Sequence, residues 1–138
     1  RVDELPVVDR QLLHERHLVS KELAGLDGPQ AVRTGAAVLL GGETSVMVNE
    51  EDHLRLQALR AGFELDATWR LAERLDLELG ARVPYAFHRE FGFLTACPTN
   101  VGTGMRASVL IHLPGLVLTK EIQKVLAGLQ QMGLTYRG

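Results

Sequence analysis

The pattern that most constrains the fold is a strict polar and apolar alternation over residues 53–59. In an extended chain it sets Leu54, Leu56 and Ala58 on one face and His53, Arg55 and Gln57 on the other. The result is a half-buried strand with a polar working face. Just upstream, residues 36–40 and 44–48 flank Gly41-Gly42-Glu43, the arrangement of a hairpin.

Helical periods follow. Leu65, Trp69, Ala72, Leu75 and Leu79 recur at three- and four-residue steps and predict an amphipathic helix over 64–79 that Gly80 stops. Residues 91–96 and 106–111 read as strands on either side of a polar, Gly-rich turn over 98–104. Thr119 reads as the N-cap of a last helix whose stripe is Ile122, Val125, Leu126, Leu129 and Met132, closed by Gly133. Residues 7–19 fit either a short helix or a helix followed by an extended stretch, and the Gly/Asp/Pro cluster over 25–29 reads as a loop. Antiparallel strands broken by two helices argue for an α+β fold, an antiparallel sheet flanked by helices, rather than a doubly wound sheet.

The length of 138 residues fits a single domain spanning 1–138. A 46% hydrophobic content allows a core, and a formal charge of -2 gives no general attraction to nucleic acid or an acidic membrane. Apolar runs such as 36–40 and 115–118 fall far short of the roughly 20 residues of a membrane helix. The lone Cys97 cannot form an internal disulfide, no Cys/His spacing suggests zinc, and a reducing cytoplasm is the simplest setting. The start at Arg1 rather than Met and the finish at Arg137-Gly138 give the expectation of a piece of something longer.

Two segments concentrate polar chemistry. Asn49-Glu50-Glu51-Asp52-His53-Leu54-Arg55 places three consecutive carboxylates at a strand entrance, where like charges repel unless a cation sits among them. A solvated strand entrance is the plain reading. A carboxylate gripping a planar cation through paired hydrogen bonds, or working with Mg²⁺, is the functional one. Residues 97–106, Cys-Pro-Thr-Asn-Val-Gly-Thr-Gly-Met-Arg, have glycines that let backbone amides face an anion, with Arg106 supplying charge. Hairpin loops use the same residues for turn geometry, and an isolated cysteine is more often an inert thiol than a reactive one.

Together these segments resemble the two signatures of the ATP:guanidino phosphotransferases, which include the phosphagen kinases and the bacterial protein-arginine kinases. The likeness extends to His14-Glu15-Arg16-His17-Leu18-Val19-Ser20 and to residues 112–119. Small-substrate members have Asp-Asp before the nucleotide-contacting His, where this chain has Glu15-Arg16, and a His where Leu110 stands. Both departures favour the protein-arginine kinase branch. The fold implied is the glutamine-synthetase-like catalytic domain of guanidino kinases, present here as a fragment.

The resemblance implies phosphoryl transfer from Mg-ATP to a guanidinium, with arginine side chains of proteins as acceptors. It places Arg55, Arg106 and Arg137 on ATP phosphates and His17 at the base or ribose. Glu51 would orient the guanidinium and help remove its proton, and Glu50 and Asp52 would support the site or Mg²⁺ hydration. Cys97 would tune the same guanidinium, and Mg²⁺ would arrive with ATP rather than on protein ligands. The implied partners are ATP and an arginine-containing protein; a homodimer is compatible, and neither nucleic acid nor membrane is expected. Further phosphate-binding arginines upstream and a mobile acidic loop downstream would complete the site, so little turnover is expected of these residues alone. A kinase for free arginine or another small guanidino compound, and a non-catalytic module binding nucleotide or arginine, are the alternatives.

Overall fold

The computed structural model describes residues 1–26 and 35–137, which fall into two compact units, Arg1–Ala107 and Ser108–Gly138. Part of the expected 25–29 loop lies outside the described residues.

The first unit opens with α1 (Val7–Glu15) and the single turn α2 (Lys21–Ala24). Of the two readings of residues 7–19, the short helix is the one that forms; residues 16–19 turn and bend rather than extend. The helix ends because His17 takes a left-handed conformation, φ 56°, allowing the Leu18 N–H to reach back to the Leu13 carbonyl at 3.0 Å. Ser20 then caps α2, accepting the Leu23 N–H at 3.1 Å.

Three antiparallel strands follow in the order β1 (Ala37–Gly41), β2 (Thr44–Val48) and β3 (Leu54–Ala58). The hairpin turns where its glycines predict, with Gly42 at φ 58°. Val46 lies opposite both Leu39 and Leu56, and Met47 opposite Val38 and Arg55. As the central strand, β2 is the most buried, and Met47 joins Val2, Val19, Leu23, Ala24 and Ala36 in the core. The Val2 N–H bonds the Ala36 carbonyl at 2.9 Å, fastening the chain start beside β1. Helix α3 (Leu65–Gly80) forms where its period predicts and packs on β3.

Two predicted strands change. Of residues 91–96 only Gly92–Phe93 (β5) joins a ladder, against β4 (Phe87–His88). Residues 106–111 form no strand: no described segment pairs with them, and Leu110 and Ile111 are largely exposed. Strand-forming side chains need a ladder partner before they make a strand.

The second unit holds α4 (Pro114–Leu118) and α5 (Ile122–Gln131). The expected capping role of Thr119 is corrected. It closes α4, its hydroxyl donating to the Gly115 carbonyl at 2.9 Å, whereas α5 starts after Glu121. Lys120 takes a left-handed conformation, φ 61°, between the two helices. Pro114 at the first turn of α4 explains why a helix starts before Thr119.

Candidate functional site

The acidic segment turns sharply between β2 and β3. Asn49 adopts φ 56°, and its N–H bonds the His53 carbonyl at 3.0 Å, bunching Glu50, Glu51 and Asp52 into the turn. Their side chains meet different surroundings. That of Glu50 is only 5% exposed; it accepts the Glu51 N–H at 2.9 Å and a charge-assisted bond from Arg55 Nη1 at 3.2 Å. Burial would raise the Glu50 pKa, but the Ser20 hydroxyl, the Glu51 N–H and the Arg55 guanidinium outweigh it and hold the carboxyl below its ordinary value.

Asp52 faces the second polar segment. Its Oδ1 accepts the Cys97 N–H at 2.9 Å and its Oδ2 the Asn100 amide at 2.8 Å. Burial pushes its pKa up; the bonds from the Cys97 N–H and the Asn100 amide do most to reverse this, leaving it below the usual carboxylate range. The Asn100 Nδ2 also reaches Glu51 Oε2 at 3.2 Å, so one amide group spans two carboxylates. A short 3₁₀ turn over Pro98–Asn100 makes this reach, with the Asn100 N–H bonded to the Cys97 carbonyl at 3.0 Å. The Cys97 thiol lies 3.0 Å from the Thr99 hydroxyl and is half-buried.

The structure thus brings together Glu50, Glu51, Asp52, Arg55 and Cys97. His17 is joined to the same strand, since Gln57 donates its side-chain amide to the His17 carbonyl and shares a β3 face with Arg55. Arg106 is exposed, and among the described residues no hydrogen bond or ion pair ties it to the cluster. Arg137 is exposed and lies in the second unit. Asn100 and Ser20 receive no individual role from the sequence. For Asn100 the signal was the Cys-Pro-Thr-Asn run itself, because Pro98 starts a tight turn that projects a polar side chain.

Chemically, Glu51 is an exposed carboxylate steadied by one amide, with a thiol carried by the same neighbouring turn. A planar cation with several N–H groups suits such a surface. Among the described residues, no group of three or more His, Cys, Asp or Glu side chains is arranged to hold a metal ion, and no helix is long and apolar enough to cross a membrane.

Comparison with known proteins gives a consistent result. Residues 1–138 match the family model described as ATP:guanido phosphotransferase, C-terminal catalytic domain. A protein-arginine kinase of Desulforamulus reducens is 47% identical over 138 residues, covering 100% of this chain and 38% of that protein. One from Moorella thermoacetica is 51% identical over 137 residues, covering 98% and 37%. The chain therefore spans less than two fifths of the length of these relatives. Among solved structures, the substrate-free duplicated taurocyamine kinase from Schistosoma mansoni superimposes with a TM-score of 0.60 at 29% identity, over 73% of this chain and 15% of that one. The α+β guanidino kinase catalytic fold expected from the sequence is the one found.

Proposed function

We propose, from the premise that this chain belongs to the ATP:guanido phosphotransferase family through its C-terminal catalytic domain, that it carries part of a site moving the γ-phosphoryl group of ATP to arginine side chains in proteins. The observation that carries the reading is the junction of the two polar segments, where Asp52 and Asn100 set Glu51 beside the Cys97 turn. Its acceptor class is supported by relatives called protein-arginine kinase at 47% and 51% identity.

Phosphoryl transfer is accelerated mainly by alignment and charge neutralisation. Glu51 binds the acceptor guanidinium through charge-assisted hydrogen bonds and turns one nitrogen toward the phosphorus. A guanidinium has a pKa above about 12, so its proton leaves only in concert with attack, and Glu51 receives it. Asp52 holds the Cys97 turn in place, and Cys97 lies against the same guanidinium as a tuning group. Arg55, kept in position by Glu50, Arg106 and Arg137 bind phosphate oxygens, and His17 contacts the base or ribose. Mg²⁺ would come with ATP and would supply neutralisation of the phosphate charge, and Glu50 and Asp52 would be the oxygen donors on the side of its hydration shell. The match of residues 1–138 to one catalytic-domain model supports reading them as part of a single domain; the cytoplasm is the expected setting, and a homodimer is compatible with this reading.

A second reading, transfer to a small guanidino compound, draws on the fold likeness to taurocyamine kinase. The deciding experiment supplies the full-length protein with Mg-ATP and either an arginine-containing protein or free arginine, with Glu51→Gln as control. Acid-labile phosphoarginine on protein alone, absent in the variant, is the expected result. Transfer to free arginine would replace the first reading with the second, and nucleotide binding without transfer to either would leave a non-catalytic module. The isolated 138-residue chain should turn over far more slowly than the full-length protein.

A further inference from the structure

Residues 94–101 form the loop that carries Cys97 and Asn100 to Asp52. We infer that Gly92 is a positioning residue for this loop: its missing side chain lets the backbone at Gly102 close the loop's base, and that closure holds Cys97 and Asn100 against Glu51 and Asp52. Its effect on turnover rests on the function proposed above; its effect on the loop does not.

The base is closed by a reciprocal pair of backbone bonds. The Phe93 N–H donates to the Gly102 carbonyl at 2.8 Å, and the Gly102 N–H donates to the Phe93 carbonyl at 3.2 Å. This contact leaves no room beside it. A Cβ on Gly92 would lie 2.4 Å from the Gly102 oxygen, 2.8 Å from its carbonyl carbon and 3.0 Å from its Cα. These are backbone atoms, so no side chain can swing aside. Gly92 also sits at φ 82°, a left-handed conformation that further disfavours a side chain.

The other side of the base is held as well. Phe93 pairs with Phe87, and the Leu94 N–H bonds the Ala86 carbonyl at 2.9 Å. The Phe93 ring meets Phe87 and Tyr85 edge-on, with centroids 5.2 and 6.0 Å apart. A residue larger than glycine at 92 must therefore push Gly102 away rather than move the hairpin. With its base open, the loop would stay tied at Leu94 to Ala86 but be held beyond that mainly by its bonds to the Asp52 carboxylate and those of the Asn100 side chain, and closing it would cost more chain entropy.

The test compares Gly92→Ala with Gly42→Ala in the full-length protein. Gly42 has a similar left-handed conformation, φ 58°, but open space around it, so it reports general backbone strain without the clash. In Gly92→Ala, amide exchange across residues 94–101 should accelerate at least about tenfold beyond any change in β1 to β3. Its kcat should fall about tenfold or more, while KM for ATP stays within about threefold. Gly42→Ala should change neither the loop's exchange nor kcat by as much.

Unchanged loop exchange in Gly92→Ala, or an equal rise throughout both variants, overturns the inference. If Gly92→Ala does not fold, NMR exchange in the unaltered protein decides. Phe93 and Gly102 amides at least about tenfold slower than that of Gly104 support the closure, and equal rates overturn it. Should the unaltered protein transfer no phosphoryl group, the function fails by that result and loop exchange alone judges Gly92.

Discussion

Asp52 and Cys97 stand 45 residues apart and are joined by a 2.9 Å hydrogen bond from the Cys97 N–H to the Asp52 carboxylate. Because the donor is a backbone group, the bond fixes the start of the turn whatever the Cys97 side chain does. Asp52 thus links the acidic turn to the thiol-bearing turn, leaving the neighbouring Glu51 carboxylate exposed.

Glu51→Gln preserves shape and removes the base. It should lower kcat for phosphoryl transfer by at least about a hundredfold, the usual scale for a positioned general base. ATP affinity, measured by calorimetry, should stay within about threefold. Retention of full kcat would remove Glu51 from the mechanism.

Asn100→Ala takes away the amide shared by Glu51 and Asp52. Two adjacent carboxylates then lose their common donor, and we expect kcat to drop roughly 10- to 100-fold. Steady-state kinetics with an arginine-containing protein checks this, with circular dichroism confirming the fold.

Glu50→Gln weakens the hold on Arg55 and keeps an acceptor for the Glu51 N–H. The expected signature is a several-fold rise in KM for ATP with a smaller change in kcat. A change confined to the acceptor KM would instead assign Glu50 to the guanidinium side.

Acid should destabilise the fold through the same carboxylates. Glu50 and Asp52 have folded pKa values held below their ordinary ones. Their contribution is therefore fully present above the unfolded value, about 4, and is lost as pH falls through the lower folded values. Thermal melts between pH 7 and pH 2 should show Tm falling at the acid end, and Asp52→Asn should flatten that fall.

Met47→Ala would open a cavity at a fully buried position of β2. It should cost about 2–5 kcal/mol in a denaturant titration, the range for truncating a core methionine.

Much of the molecule was legible from local pattern. The alternation of residues 53–59 gave β3 and placed Arg55 and Gln57 together. The glycines after Leu40 marked the hairpin, and the apolar period through Leu65, Leu75 and Leu79 marked α3. These features depend on neighbours in sequence, and a period or a turn residue records them directly.

The strand expected over 106–111 and the capping role of Thr119 were not decided locally. A strand needs a ladder partner supplied from elsewhere in the chain, and Pro114 starts α4 ahead of Thr119. Residue type likewise marked Glu50, Glu51 and Asp52 as carboxylates with work to do, but not which would be buried. Only the tertiary structure turned Glu50 inward to Arg55, set Asp52 under the Cys97 amide and left Glu51 exposed beside Asn100. The physical reason is that burial and hydrogen bonding belong to pairs of residues brought together by folding, whereas a sequence specifies only what each residue could offer.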